Sequence, residues 1–360
     1  MSEKIKVAII GCGAIANSAH IPAYMKNEKA EIKYFCDIIP ERADAAVEKY
    51  GCGRAVYDYH EILDDPELDS VSVCTHNDLH SVIAIDFMRA GKDVLSEKPA
   101  ARVLSEALEM QRVSHETDRI LSIGVCNRFG NAVNHIKDLI DAGELGEVYH
   151  VYASFRANRS IPGIGGDFTR KAASGGGALI DWGVHYLDLI LYCCGEPKPL
   201  TASGEAFCKL GKNIKDYVYT NMWAENTADK DGVFDVDDSV TGIVRTDGPT
   251  ITFNGAWAEN IGEDETYIDF IGDKAGIRLE YGEGFVIYSV KNGMLMRSEP
   301  KFRTNNFYEA EINSFVDCVI NHEHNRADID LAIGTSKIDT FKTVQAIYDS
   351  SELHREVVID

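Results

Sequence analysis

The turn GCGAIA, residues 11–16, constrains this chain more than any other feature. It follows the apolar run KVAIIG, opens a helical pattern reaching Met25, and is succeeded by Asp37 at the end of the strand-like run EIKYFCDI. Strand and helix signals keep alternating from there. PERADAAVEKYG places Pro40 in a first helical turn and stops at Gly51; SVSVCT is strand, NDLHSVIAIDFMRAG helix and KDVLSEK strand. LSEALEMQRVSHETDR is helix again, and ILSIGVCNR strand. Such alternation buries strands in a parallel sheet covered by helices on both faces. Residues 1–128 are therefore expected to form an α/β Rossmann domain, a doubly wound parallel sheet.

In that context GCGAIA is a dinucleotide fingerprint. Gly11 permits the tight turn, Gly13 lets the backbone approach a pyrophosphate, and Ala16 keeps helix and strand close. Ala14 and Ile15 lie where a helix N-terminus offers N–H groups and a positive dipole end. Asp37 is expected to accept hydrogen bonds from ribose hydroxyls and to repel a 2′-phosphate, so NAD is favoured over NADP. Arg42 tempers this choice, since a nearby arginine accommodates that phosphate. Ligands of open α/β sheets lie beyond the carboxyl ends of the strands. Two such ends carry Thr75-His76-Asn77-Asp78-Leu79-His80 and Glu97-Lys98-Pro99. Asn77 is either a ligand contact or the cap of the next helix. Lys98, restricted by the proline after it, is expected to point out of the sheet end and polarise a substrate oxygen.

After Arg128 the rhythm fades. TASGEAFCKL, SVTGIVRTD, TITFNGAWAEN, ETYIDFIG and FVIYSVKNG read as strands of an antiparallel sheet with one face covered, within a second domain of residues 129–360. Before them, GGGALIDWGVHYLDLILYCCG is almost wholly apolar between Ala178 and Cys194, yet holds Asp181, His185 and Asp188 at i, i+4 and i+7, on one helical face. That stripe is either a solvated edge or a site. Imidazole titrates nearest neutral pH, so His185 suits a general base with Asp181 as its partner, while Asp188 reads as structural. Arg156, Asn158, Arg159, Asp167, Thr169, Arg170 and Lys171 suit a polyhydroxylated ligand or are plain surface charge. The acidic stretch 228–238 lacks the glutamate of a calcium loop and reads as solvated.

A charge balance of 36 − 58 = −22 leaves no basic face for nucleic acid or an anionic membrane. No segment reaches the ~20 apolar residues that span a bilayer. Nine cysteines without a CxxC or metal-ligand spacing, in a chain with no export signal, read as reduced cytoplasmic thiols. His322 and His324 read as solvated, and no metal is expected.

Taken together, GCGAIA, THNDLH, GKDVLSEKPAA and GGGALIDWGVHYLD resemble the Gfo/Idh/MocA oxidoreductases, relatives of glucose–fructose oxidoreductase and inositol dehydrogenase. The resemblance extends to the C-terminal FYEAEINSFVDCVI and AIYDSSELHREVVI. It implies an α+β second domain with a large open, mainly antiparallel sheet, through which homodimers or homotetramers assemble. It also implies a hydride transfer between NAD(P) and a secondary alcohol of a sugar, glycoside or cyclitol, with oxidation at the 3-position among the known outcomes. An inositol 2-dehydrogenase and a redox-neutral NAD-dependent glycosidase or lyase are the alternatives on the same fold. Carried over, Lys98, Asp181 and His185 form the catalytic group. Thr75, Asn77, His80, Glu97, Asn127 and Arg128 line the nicotinamide end, and Lys98, Arg156, Arg159, Asp167, Asp181 and His185 face the substrate. The chain departs from the common pattern at His76, where many members have proline, and at Ala100, where leucine is usual. It keeps histidine at 185, where some members place tyrosine.

Overall fold

The computed structural model describes residues 4–219, 229–282, 284–329 and 337–360. The chain forms two compact units, Met1–Phe129 with Asn306–Leu331, and Gly130–Asn305 with Ala332–Asp360.

The first unit holds β1 (Ile5–Ile10), β2 (Ala30–Cys36), β3 (Arg54–Val56), β4 (Ser70–Val73), β5 (Asp93–Ser96) and β6 (Leu121–Ile123). All pair in parallel, in the order β3-β2-β1-β4-β5-β6. This is the doubly wound arrangement, and the strand order reverses between β1 and β4, where such sheets open a crevice. Helices α1 (Ile21–Lys26), α2 (Pro40–Tyr50), α3 (Asn77–Arg89) and α4 (Leu104–Thr117) connect the strands. The local signals are where the sequence places them: Pro40 opens α2, and Gly51, at φ 64°, closes it with its N–H on the Val47 carbonyl.

The second unit contains α5 (Asn131–Asp141), α6 (Lys171–Ser174) and α7 (Val184–Cys193). Its strands are β7 (Val148–Arg156), β8 (Pro199–Phe207), β9 (Ser239–Thr246), β10 (Thr250–Ala256), β11 (Glu265–Gly272), β12 (Ala275–Glu280), β13 (Phe285–Lys291), β14 (Met294–Ser298) and β15 (Val357–Val358). Among the described residues the sheet runs β14-β13-β12-β11-β7-β10-β9-β8-β15, antiparallel except where β7 meets β10. Alternate residues divide its faces. Val151, Ala153, Phe155, Ile251, Phe253, Val244, Ile268 and Phe270 are buried. The Phe155 ring lies tilted against Tyr186 of α7 with centroids 4.8 Å apart, so this is the face that α7 covers. The other face is polar and half-exposed: Asn254 donates to the Tyr152 hydroxyl at 2.7 Å, and Arg278 pairs with Asp269 while lying over the Tyr267 ring. The last helices are α8 (Phe307–Asn321) and α9 (Lys337–Leu353).

One expectation needs correction. Helix α8 does not stay with the second domain but joins the first unit's core, where Ile312, Phe315, Val316 and Val319 cluster with Ile5, Val7, Ile9, Tyr24, Ile32 and Phe35. The apolar face of β1 and β2 needs a cover, and this late helix supplies it. A second correction concerns the acidic stretch, of which residue 228 lies outside the described residues: Asp237 and Asp238 are buried rather than solvated. All nine cysteines are free thiols. No described helix is long and apolar enough to cross a membrane.

Because Phe315 is fully buried in the first unit's core, Phe315→Ala is expected to cost about 3–5 kcal/mol. A urea titration of the intact chain, followed by circular dichroism, checks this through the shift in its first midpoint.

Candidate active site

Strand β1 ends at Gly11, whose φ of 92° and crowding leave no room for a side chain: a Cβ there would lie 2.6 Å from the Cys74 carbonyl oxygen. The Gly11 N–H donates to the Cys36 carbonyl at 2.8 Å, and Cys74 N–H to Ile10 at 2.7 Å, so β1, β2 and β4 meet here. A Cβ on Gly13, by contrast, would meet no atom within 4 Å. Ala14 is exposed, Ile15 half-buried and Ala16 fully buried against the sheet. Asn17 ties the loop down through donations to the Cys12 and Gly13 carbonyls. At the end of β2 the Asp37 carboxylate accepts N–H bonds from Cys12 and Ile39, both at 2.9 Å. Those bonds orient it, and each oxygen keeps a second lone pair for a ribose hydroxyl. Arg42 is exposed in the first turn of α2. Burial, then Asp37, push the Cys12 thiol up to about 12, with Arg42 opposing, so this cysteine is an inert part of the turn. The turn, the open side of Gly13 and the fixed carboxylate together fit a dinucleotide.

The other two strand ends are built differently from expectation. Thr75 is half-buried, and the helix-cap position of α3 is His76, with Asn77 its first helical residue. His80 is buried, its Nδ1 2.7 Å from the Pro99 carbonyl oxygen and its Nε2 3.1 Å from that of Thr75. Glu97 is buried too. Its Oε1 lies 2.8 Å from Nε2 of His20, and its Oε2 accepts the Lys98 N–H at 3.0 Å. Burial raises the Glu97 pKa, but His20 and the Lys98 charge outweigh it and hold the carboxyl below its ordinary range. Arg128 is likewise buried; its Nη1 reaches the Arg326 carbonyl, and Arg326 donates to the Arg128 carbonyl at 3.1 Å. Asn127 is buried in the same short turn, Cys126–Phe129. His80, Glu97 and Arg128 were expected to line the cofactor. All three are buried with protein partners, and Thr75, Asn77 and Lys98 are the half-buried groups at these ends.

In the second unit, Asp181 lies in a π-turn, Leu179–Gly183, that runs into α7. It is buried and accepts the indole N–H of the fully buried Trp257 at 3.1 Å. His185, on the first turn of α7, is half-buried. Asp188 is buried and takes a hydrogen bond from Thr340 at 3.4 Å, as a structural residue does. The start of this helix hangs on Asp237, whose carboxylate accepts N–H bonds from Gly177 (2.7 Å) and Leu179 (2.9 Å) and the Tyr348 hydroxyl (2.8 Å). Burial raises the Asp237 pKa and these neutral donors only partly offset it, unlike the charge-assisted case of Glu97. The glycines before the helix serve this packing: a Cβ at Gly177 would collide with the Asp237 carbonyl, and one at Gly176 with the Tyr348 hydroxyl.

The expected substrate arginines are otherwise engaged. Arg156 alternates with Phe155 and so stands on the sheet face opposite α7, paired with Glu259 (2.7 Å) and Glu265 (2.9 Å). Arg159 donates to the Asn158 and Glu259 carbonyls, both at 2.6 Å, and to Asn260. Its backbone bridges Ala258, next to the Trp257 that holds Asp181. Asp167 pairs with Arg170. Sequence reasoning missed His20, Ser72, Trp257, Asp237 and Tyr348. Only His20 left a local trace, as an imidazole in the apolar run AHIPAY.

Gly11→Ala is expected to weaken NADH binding by about tenfold or more, because the added carbon displaces the β1–β4 crossing and a left-handed alanine is strained. Quenching or enhancement of NADH fluorescence measures it.

The chain matches the model of an oxidoreductase family with an NAD-binding Rossmann fold over residues 5–125, and that of a GFO/IDH/MocA C-terminal domain over 133–278. A D-glucoside 3-dehydrogenase of Escherichia coli is 32% identical over 297 residues, 82% of each chain. A myo-inositol 2-dehydrogenase of Thermotoga maritima is 28% identical over 192 residues, 53% of this chain and 55% of that protein. Among solved structures, a levoglucosan dehydrogenase in complex with NADH and levoglucosan superposes with a TM-score of 0.82 at 18% identity, covering 99% of this chain and 100% of that one. At that identity the likeness speaks for the fold alone. The glycine turn, the two sheets and these matches agree: the chain belongs to the Gfo/Idh/MocA family of NAD-binding oxidoreductases.

Proposed function

We propose that this protein oxidises a secondary alcohol of a D-glucoside or closely related sugar with NAD, at the 3-position of the ring. The observation that carries the substrate class is the 32% identity to a D-glucoside 3-dehydrogenase across 82% of both chains. Inositol dehydrogenase relatives match over a smaller share of this chain.

When bound, NAD supplies the hydride acceptor. The turn from Gly11 to Ile15 would hold its pyrophosphate, with Ala16 packing the helix on the sheet; Asp37 would hold its adenosine ribose, and Thr75 and Asn77 would serve its nicotinamide end. His185 takes the hydroxyl proton, for which imidazole has the apt pKa range. Asp181, fixed by Trp257, stabilises the imidazolium that results. The Lys98 ammonium stabilises the developing alkoxide. Asp37 supports NAD over NADP, since a 2′-phosphate would meet a carboxylate that two backbone bonds keep from swinging away. Self-association through the polar, uncovered face of the nine-stranded sheet completes the reading.

The test is a panel of methyl glucosides, free sugars and cyclitols with NAD, followed by nicotinamide absorbance and identification of products. A keto-glucoside with stoichiometric NADH is the expected result; bond cleavage without net NADH would point to a redox-neutral glycosidase instead. Lys98→Ala and His185→Ala are each expected to lose about 10²–10⁴-fold in kcat while binding NADH as the unaltered protein does. Near-normal rates in both would refute the assignment. Asp37→Ser is expected to raise the kcat/KM ratio for NADP over NAD by about tenfold or more, read from initial rates with each cofactor.

A further inference from the structure

Two histidines of the first unit have no part in the chemistry above, yet both are buried beside Lys98. We infer that His20 and His80 are positioning residues that clamp Lys98 from either side, His20 through the Glu97 carboxylate and His80 through the Pro99 carbonyl. This rests on the reading of Lys98 as the group at the reacting oxygen.

The clamp is built from main-chain fixings. A lysine has a four-carbon flexible stem, so the protein places its ammonium chiefly by fixing the backbone on both sides of it. On the N-terminal side, the Lys98 N–H donates to Glu97 Oε2 at 3.0 Å. That carboxylate is itself held: Oε1 lies 2.8 Å from His20 Nε2, and the Glu97 N–H donates to Val73 at 2.9 Å. Gly124 closes the other side, where a Cβ would stand 3.1 Å from Oε2. On the C-terminal side, the carbonyl of the next residue, Pro99, lies 2.7 Å from His80 Nδ1.

Burying an imidazole is costly unless its nitrogens are partnered. His20 meets that condition at both nitrogens, and His80 at the one that donates. His20 is fully buried, and its Nδ1 lies 3.3 Å from the Ser72 hydroxyl, which Tyr24 meets at 2.8 Å. His80 has carbonyl oxygens at both nitrogens, Pro99 at 2.7 Å and Thr75 at 3.1 Å; burial lowers its pKa, and the neutral ring donates to the closer, Pro99. The route by which His20 reaches inward is local. The π-turn Ala16–His20, closed by the Ile21 N–H on the Ala16 carbonyl, inserts an extra residue into the helix that follows the glycine turn. Such insertions re-aim side chains and recur at functional sites. The helix on which the dinucleotide pyrophosphate would rest is thus tied, through one histidine and one glutamate, to the backbone of Lys98. A pair meant only for stability is more cheaply made of apolar residues. Here both chains of bonds end on the main chain flanking one lysine.

The test uses the full chain and has two readouts. Hydrogen exchange of the segment Ser96–Arg102, followed by mass spectrometry without cofactor, is expected to speed up about tenfold or more in His20→Ala and in His80→Ala. Peptides from β7 and β11 should be unchanged. In turnover, each variant is expected to lose about 10–100-fold in kcat with NADH affinity maintained, and His20→Gln, whose amide still donates to Glu97, to recover most of it. The deciding comparison is on a Lys98→Met background, followed for hours at high enzyme concentration so that the residual rate is measurable. There neither histidine substitution should lower the rate further, because each acts only through the lysine. An equal loss on that background, or unaltered exchange across Ser96–Arg102, overturns the clamp. Wild-type turnover in Lys98→Met with accelerated exchange in the histidine variants would sink the reading of Lys98 instead, and the clamp's catalytic role with it.

Discussion

A carboxylate removed from water must be met by donors, and this fold meets its buried carboxylates largely with main-chain N–H groups of loops that would otherwise be loose. Asp37 takes the N–H of Cys12 and so ties the glycine turn to the end of β2. Glu97 takes the N–H of Lys98. Asp237 takes those of Gly177 and Leu179, which begin the helix of Asp181 and His185, and Asp238 those of Lys209 and Gly211 beyond β8. Except for that of Glu97 with its neighbour Lys98, each bond joins segments far apart in sequence. Removing one such acceptor would leave N–H groups stranded and a loop free to drift, so the geometry of both units depends on this one kind of contact.

That dependence explains what the sequence made legible. Features governed by neighbours were readable. The glycine turn, Pro40 and Gly51 at the ends of α2, and the alternation of β7 and β10 all follow from local backbone preference or from a period of two. Features governed by distant partners were not. Glu97, His80 and Arg128 have the residue types of ligand contacts and stand in the right loops. What decides their role is His20, Pro99 and Arg326, and no pattern near them announces those partners. The acidic stretch shows the same limit, since a run of aspartates is usually solvated. Asp237 and Asp238 are buried only because a helix start and a strand exit happen to need their oxygens. Helix α8 carries a plain amphipathic pattern that does not say which unit it covers.

Arg156 is an instructive exception, for it was within reach of the sequence. Phe155 had to face the core, and strand alternation then sends Arg156 to the opposite face, toward Glu259 and Glu265. Residue type alone suggests a substrate contact; counting from the buried aromatic gives the sheet face on which it stands. Spacing on a regular helix puts Asp181, His185 and Asp188 on one face, and the π-turn at Leu179–Gly183 lies just where Asp181 sits. Its carboxylate meets Trp257, while Asp188 goes to Thr340.

The two units solve one problem in the same way. A group that must exchange a proton or meet a developing charge has to reach solvent or substrate, so it cannot be wholly packed. Its position must nevertheless be exact enough for chemistry, and exposed side chains are poorly ordered. Lys98 and His185, the groups proposed to do this, are each half-buried, and near each in sequence lies a buried carboxylate with a fully buried donor: Glu97 with His20 in the first unit, Asp181 with Trp257 in the second. The enclosed layer bears the cost of precision, through an imidazole or indole donor aimed at a carboxylate in low dielectric, where such a bond is strongest. The half-buried layer keeps the freedom to react. A substitution in the enclosed layer therefore acts at one remove, by loosening a neighbour whose own atoms are untouched.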